Sequence, residues 1–452
     1  MTTSRLPQQI VFGVTCLLLL FSPLMRAGNT AMALLIMQCM GLIMLATIGW
    51  WGLCRQRFTG AIWWFLLFAL SILTLYLMPL PESLWRTLPG RDLYVQVYDW
   101  LDENGKADAY LALSVIPTNS LYSLLAVLPA LAVFLAVGSM NKKHTLYSLY
   151  VFLGIAALQA AYGLSQYAAG FTDSATGSYP NRDHFSTLME IAFPLAAGLT
   201  AYTIGRRHVQ DDGHDLNHFI HKFNHALIFG SIALLLLLAG VFSRSRAGVA
   251  LIILGLLLCS LLFARHIGGK RSAGMGVVIS TIGFGIASSI GLIPVLNRFV
   301  QANPMEDERW RILEVSWQAV QQFFPFGTGL GTYADVYHAF QPVEQIGFAH
   351  NAHNDYLELL LETGVVGLGI ILAVLALYAY GWWQMREQSW GQERFIKVGA
   401  GIGILLMLLH ASVDFNFHIP ANAVFFAFLA GLFLKRPLVE PNHRSRHNLQ
   451  RP

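Results

Sequence analysis

Residues 350–380 read HNAHNDYLELLLETGVVGLGIILAVLALYAY. A polar start carrying His350, His353 and Asp355 runs directly into an apolar stretch from Leu357 to Tyr380. That stretch exceeds the roughly 20 residues an α-helix needs to cross the hydrocarbon of a bilayer. Groups that exchange protons are therefore set on the first turn of a rigid element at a membrane surface. The arrangement suits chemistry on a substrate that lies partly in lipid.

The same apolar signature recurs along the chain. Comparable runs occupy 11–24, 31–50, 61–80, 121–140, 146–169, 185–204, 226–242, 247–263, 275–293, 398–413 and 421–434, the last two short enough to be tilted or partly re-entrant. The first is read as a membrane helix, because no small-residue cleavage site follows it. Composition agrees: the 452 residues are 55% hydrophobic and 12% charged, with mean hydropathy +0.52, where soluble domains carry about 25% charged residues. The pattern predicts an all-α polytopic membrane protein of about twelve transmembrane helices. It is one domain over 1–452, with polar insertions at 81–120 and 294–356 and a basic tail at 436–452. Cys16, Cys39, Cys54 and Cys259 have neither metal nor redox spacing and read as small buried hydrophobes.

Threading the runs from a cytoplasmic N-terminus puts most of the 29 Lys and Arg residues on the cytoplasmic side. Every inward loop is basic, the positive-inside pattern. The net charge of +4 thus reflects topology and gives no reason to expect nucleic-acid binding. Arginines that break the rule share the outward face with the two histidines: Arg182, Arg244, Arg246, Arg309 and Arg311. An arginine held at a helix end against its topological preference calls for a specific partner.

In the larger insertion, Met305 to Phe324 carries Trp310, Leu313, Trp317, Val320 and Phe324 at spacings of three, four or seven. This predicts an amphipathic helix lying along the membrane surface. The run from Pro325 through Gly327, Gly329 and Gly331 breaks it and allows a tight turn with close backbone approach. It is no P-loop, since no Lys-Ser/Thr follows. Arginine suits phosphate through its forked donors, and histidine suits proton transfer near neutral pH. A lipid-linked diphosphate sugar needs both.

Blander readings stand beside these. His350 and His353 could form a metal pair with Asp355 or the acids at 306–308, or simply be polar residues at a helix start. Arg244 and Arg246 could snorkel at a helix end, and Arg309 and Arg311 could anchor lipid headgroups. Glu190, one turn inside the sixth run, suits pairing with an arginine. Gln159, Tyr162 and Gln166 form a polar stripe suited to a groove or to interhelical hydrogen bonds. His214, His218, His221 and His225 recur at helical spacing, but the threading puts them across the bilayer, as a solvated loop.

His353-Asn354, nine residues, then Gly364-x-x-Gly367 resembles the signature of the bacterial O-antigen ligases and the wider O-antigen ligase and polymerase family. The Ser-Arg-Ser-Arg246 turn before a helix, Arg311 with the glycine run after Pro325, and the large outward loop before the tenth run are similar too. The resemblance implies a glycosyltransferase C-like helical membrane fold. It implies an inverting, metal-independent transferase without cofactors, with its active site on the periplasmic face of the inner membrane. The donor would be an undecaprenyl-diphosphate-linked glycan. The acceptor would be lipid A–core oligosaccharide for a ligase, or another repeat unit for a polymerase.

By the same resemblance His353 falls on the family's base, with His350 in reserve; Asn354, Asp355 and Glu190 are supporting candidates from their places in the chain. Arg246 and Arg244 fall on the diphosphate-binding position, with Arg311, Arg309 and Arg182 as further candidates. Arg182 in Asn-Arg-Asp-His-Phe looks closer to exopolysaccharide polymerases. A lipid-linked glycan transporter is the competing class, but transporters place polar residues near the bilayer midplane, and here they sit at its boundary. A metal-dependent hydrolase would rest on the two histidines alone.

Overall fold

The computed structural model describes residues 5–53, 57–105, 110–205, 216–266, 308–345 and 347–436, with the backbone alone at 216–223. The helices are α1 (Arg5–Phe21), α2 (Ala31–Trp51), α3 (Gly60–Leu75), α4 (Asp92–Glu103), α5 (Pro117–Ser139), α6 (Lys142–Ala168), α7 (Arg182–Gly205), α8 (Leu216–Phe242), α9 (Arg246–Phe263), α10 (Glu308–Phe323), α11 (Tyr333–Phe340), α12 (Asp355–Thr363), α13 (Val365–Gln384), α14 (Gln392–His410) and α15 (Pro420–Leu434). Among the described residues seven are long and apolar enough to cross a membrane: α2, α5, α6, α7, the Asn224–Phe242 part of α8, α9 and α13. The helices α1, α3 and α15 are apolar but shorter. Each predicted run falls on helix except 275–293, which lies outside the described residues, as do Cys54 and most of the basic tail.

Local chemistry sets the helix ends. Thr30 and Asn141 cap α2 and α6 by accepting from Ala33 N (3.3 Å) and His144 N (2.9 Å), which satisfies backbone donors a helix start leaves unpaired. Pro117 and Pro420 open α5 and α15, where a missing N–H costs nothing. Of the seven spanning helices α7 is the most enclosed, with 67% of its apolar window buried. Small residues let its neighbours close in. A Cβ on Gly399 would lie 2.7 Å from Pro194 O, and one on Gly403 2.8 Å from Ile191 O. In lipid, such close backbone approach supplies the packing that hydrophobicity cannot.

The two ends of the bundle differ. At one, Lys435 Nζ donates to Val137 O (2.8 Å), Met140 O (2.6 Å) and Thr145 Oγ1 (3.0 Å), and Lys397 Nζ donates to Lys435 O (2.7 Å). The other end carries the insertions, which form one cap. Ile312, Val315, Ala319 and Phe323 of α10 pack with Tyr333 and Tyr337 of α11, Leu361 of α12, and Tyr94 and Val115 of the first insertion.

The predicted amphipathic helix is α10, and two other expectations are corrected. The buried face of α10 is Ile312, Val315, Ala319, Val320 and Phe323, while Trp310, Trp317 and Phe324 of the predicted stripe are exposed. The outer side mixes these aromatics with Arg311, Glu314, Gln318 and Gln321. The run 357–380 is also not one helix. It breaks at Gly364 (φ 57°, ψ −136°), a conformation open only to glycine. The nine residues between Asn354 and Gly364 in the signature are α12 itself. The histidine stripe is partly helical too: α8 begins at Leu216, so His218, His221 and His225 lie on it, and His214 lies outside the described residues.

Gly364 fits against the glycine turn after α10. Val365 N donates to Pro325 O (2.9 Å), Gly329 N to Glu362 O (2.7 Å), and Thr328 N to Leu361 O (3.1 Å). A Cβ on Gly364 would lie 1.9 Å from Pro325 O. Gly364→Ala is therefore expected to destabilise the protein by about 1–3 kcal/mol or more. A thermal unfolding midpoint in detergent that matches the wild type would show that the turn relaxes freely.

Candidate functional site

Three segments converge at the capped end of the bundle. The N-terminus of α7 brings Arg182, Asp183 and His184. The turn between α14 and α15 brings Asp414, Phe415 and His418. The segment before α12 brings His350 and His353. Asn181 Oδ1 accepts from Asp183 N (2.9 Å), and Asn354 Oδ1 accepts from Tyr356 N (3.1 Å) and Leu357 N (3.0 Å). Asn354 is therefore the cap of α12, so the residue beside His353 fixes where that helix starts.

His353 meets Asp414 across 61 residues of chain, with Nδ1 3.0 Å from Asp414 Oδ1. An ionised carboxylate only accepts, so Nδ1 carries the proton and Nε2 of the neutral ring keeps a lone pair. The His353 side chain is 25% exposed and Asp414 1%. The imidazole faces outward and its carboxylate partner is enclosed. Phe415 N also donates to Asp414 Oδ1 (3.0 Å). Burial opposes the Asp414 charge, but the His353 hydrogen bond and surrounding positive groups, Arg309 among them, outweigh it and hold its pKa at about 2. His184 Nε2 lies 3.8 Å from Asp414 Oδ2, too far for a hydrogen bond. The rings of His184 and His353 both meet Phe415 edge-on, at 4.6 and 4.9 Å.

The arginines divide. Arg309 reaches this site, with Nη2 3.2 Å from Asp183 Oδ2 and Nη1 donating to Val413 O (3.3 Å). Arg311 points elsewhere and pairs with Glu344 at 3.2 Å, both exposed. Residues two apart on a helix point about 200° apart, so only one of this pair can face the site. Arg244 has φ 55°; its Nη2 lies 3.4 Å from Tyr167 Oη, with the guanidinium 5.4 Å from that ring's centroid. Arg246 opens α9, whose cap is Ser245, accepting from Gly248 N at 3.0 Å. A Cβ on Gly248 would meet Ser186 Oγ at 2.3 Å, so this turn packs directly on the first turns of α7. Arg246, Arg182 and His353 thus occupy the same end of the bundle.

Other candidates take different places. His350 is exposed, its ring 4.4 Å from Phe348. Glu190 pairs with His410, not with an arginine: Oε2 lies 3.1 Å from His410 Nδ1, with both side chains buried. Thr187 Oγ1 donates to Asn416 Oδ1 (2.7 Å) beside them. Asp355 accepts from His418 Nδ1 (2.9 Å) and Phe417 N (3.1 Å). Gln159 accepts from Ser178 N (3.0 Å) and Gln166 donates to Gly177 O (3.1 Å), so that stripe holds the loop before α7. Glu306 and Asp307 lie outside the described residues. Among the described residues no group of three His, Cys, Asp or Glu is placed to hold a metal ion.

The sequence reading passed over Asp414, His184, His410, Glu358 and His418. A faint signal was present for Asp414. It is an acid just past the eleventh apolar run, in a chain with only 25 Asp and Glu residues.

Of the five described non-glycine residues at positive φ, two are Arg244 and His353 (φ 50°). Such backbone costs of order 1–3 kcal/mol and concentrates at functional sites.

Residues 231–372 match a family described as O-antigen ligase. The match spans Arg244, Arg246, α10, His353 and both motif glycines, and it supports the O-antigen ligase and polymerase family. It stops before Asp414. No curated protein matches the chain.

The folded pKa of Asp414 lies below its ordinary 3.8. Its stabilisation is therefore complete above about pH 4 and is lost as pH falls towards 2, amounting to about 2 kcal/mol. Asp414→Asn lacks this titration. Its unfolding midpoint is expected to fall less between pH 4.5 and 2.5 than that of the wild type. Equal slopes would show that Asp414 is not held ionised.

Proposed function

We propose that the chain is an inverting glycosyltransferase of the O-antigen ligase type. It would move a glycan from undecaprenyl diphosphate to an acceptor hydroxyl, lipid A–core oligosaccharide, at the periplasmic face of the inner membrane. The observation that carries this reading is the His353–Asp414 pair, an imidazole that is part exposed on one side and held by a buried carboxylate on the other.

His353 Nε2 takes the proton of the acceptor hydroxyl. The oxygen attacks the anomeric carbon on the face opposite the diphosphate. The bond from the anomeric carbon to the diphosphate oxygen breaks, and its electron pair leaves with undecaprenyl diphosphate. Asp414 stabilises the imidazolium that forms. Arg246 and Arg244, beside α7, meet the negative charge that builds on the diphosphate, and arginine suits that task through its fork. Arg309, tied to Asp183 and Val413, serves the Asp414 side of the site. Arg311 lies outside this group, and His350 has no role in it.

The reading is tested with purified protein, undecaprenyl-diphosphate-linked glycan and two acceptors: lipid A–core, and a second lipid-linked repeat. Product on lipid A–core identifies a ligase. Product on the repeat alone identifies a polymerase, and transport of glycan without a new linkage overturns the enzyme reading. His353→Ala is expected to lower transfer by about 10²–10⁴-fold with donor binding retained, and full activity would reject the base. Arg246→Lys is expected to be severely impaired for want of the fork. Transfer is expected to survive chelators, whereas loss restored by zinc would favour a metal site.

A further inference from the structure

Glu358 lies one turn into α12 and is 2% exposed. Its Oε2 accepts from Ala352 N (2.8 Å), and its Oε1 accepts from Asn351 Nδ2 (3.1 Å). Ala352 immediately precedes His353. The same Oε1 lies 3.1 Å from His418 Nε2, and His418 Nδ1 lies 2.9 Å from Asp355 Oδ1. Asp355 in turn accepts from Phe417 N (3.1 Å) and donates its own N–H to Ala411 O (2.9 Å). One cluster therefore grips the chain on both sides of Asp414 and the chain just ahead of His353.

Helix capping does not account for Glu358. The cap of α12 is Asn354, and a capping-box acid would stand three residues after it and bond back to the cap's own N–H. Glu358 stands four after the cap and reaches past it to Ala352. Ordinary core packing does not account for it either. A carboxylate this enclosed is tolerated only when its lone pairs are met, and here each donor comes from a segment of the site. His418 has a carboxylate against each ring nitrogen, so both nitrogens act as donors and the ring carries its charge. Lost solvation on the inward side of the ring opposes that charge, but Glu358 and Asp355 outweigh it and raise the His418 pKa well above the usual range.

We propose that Glu358 and His418 are positioning residues for the transfer reaction, a clasp that holds the left-handed backbone of His353 and the Asp414 turn in mutual register. The proposal rests on the reading of His353 as the base. The clasp touches neither donor nor acceptor. It sets the angle at which the imidazole meets the acceptor hydroxyl, and small misplacements of a catalytic group cost up to about a hundredfold in rate.

Transfer is measured for Glu358→Gln, His418→Ala and the double variant, with His353→Ala alongside. Each single variant is expected to lose roughly ten- to a hundredfold in kcat, with KM for donor and acceptor within about twofold of wild type and unfolding midpoints close to it. The double variant is expected to lose little more than the worse single one, because the two residues act as a unit. His418 is 39% exposed, so added imidazole should restore part of the activity of His418→Ala. Unchanged kcat in both single variants overturns the proposal. So does a loss that tracks the unfolding midpoint or appears in KM. If His353→Ala itself stays active, the base reading fails. If that variant is dead while the clasp variants work normally, the clasp alone fails.

Discussion

An ionised carboxylate with 1% exposure needs donors, and at the capped end of the bundle two of them converge on Oδ1 of Asp414. Removing an ion from water carries an effective penalty of several kcal/mol even inside a relaxed protein. His353 and the Phe415 N–H supply hydrogen bonds, and Arg309 supplies charge through its hold on Asp183 and Val413. These groups come from α10, from the segment before α12 and from the turn after α14. Meeting one buried acid thus joins remote parts of the chain in one place, and one side of the His353 ring is left open.

The bundle beneath makes that convergence rigid. The central helix α7 is approached through Gly399 and Gly403, and the Glu190–His410 pair crosses from it to α14 just below the site. Within lipid such polar pairs join helices that have little other reason to associate in one register. The α14 end that carries Asp414 is thereby fixed against the α7 end that carries Asp183 and His184. Above, the glycine turn after α10 is sewn to the C-terminal end of α12 through Pro325, Thr328 and Gly329, which orients the helix that His353 precedes.

Much of this was legible in the sequence. Apolar runs near bilayer length located the helices, since lipid forces each spanning segment to satisfy its own backbone. The signature marked His353, Asn354 and Gly364, and each has a definite structural task. The break at Gly364 was less visible, because α12 and α13 read together as one apolar run. On α10 the spacing marked the helix, but which residues it would bury against α11 and α12 depended on partners remote in the chain. The partner of His353 was not legible, because 61 residues separate it from Asp414 and no local pattern encodes a contact at that range. Glu358 reads as one polar residue in an apolar run, and its contacts with Ala352 and His418 come from the fold.

The spacing between the motif's asparagine and its first glycine acquires a geometric meaning. Because α12 fills that interval completely, its length acts as a ruler between two fixed points, the cap at Asn354 and the seam at Pro325. One added residue would turn everything beyond it by about 100° and push it about 1.5 Å along the axis. What the interval sets in this chain is phase: a defined number of helical steps from the imidazole to the hinge.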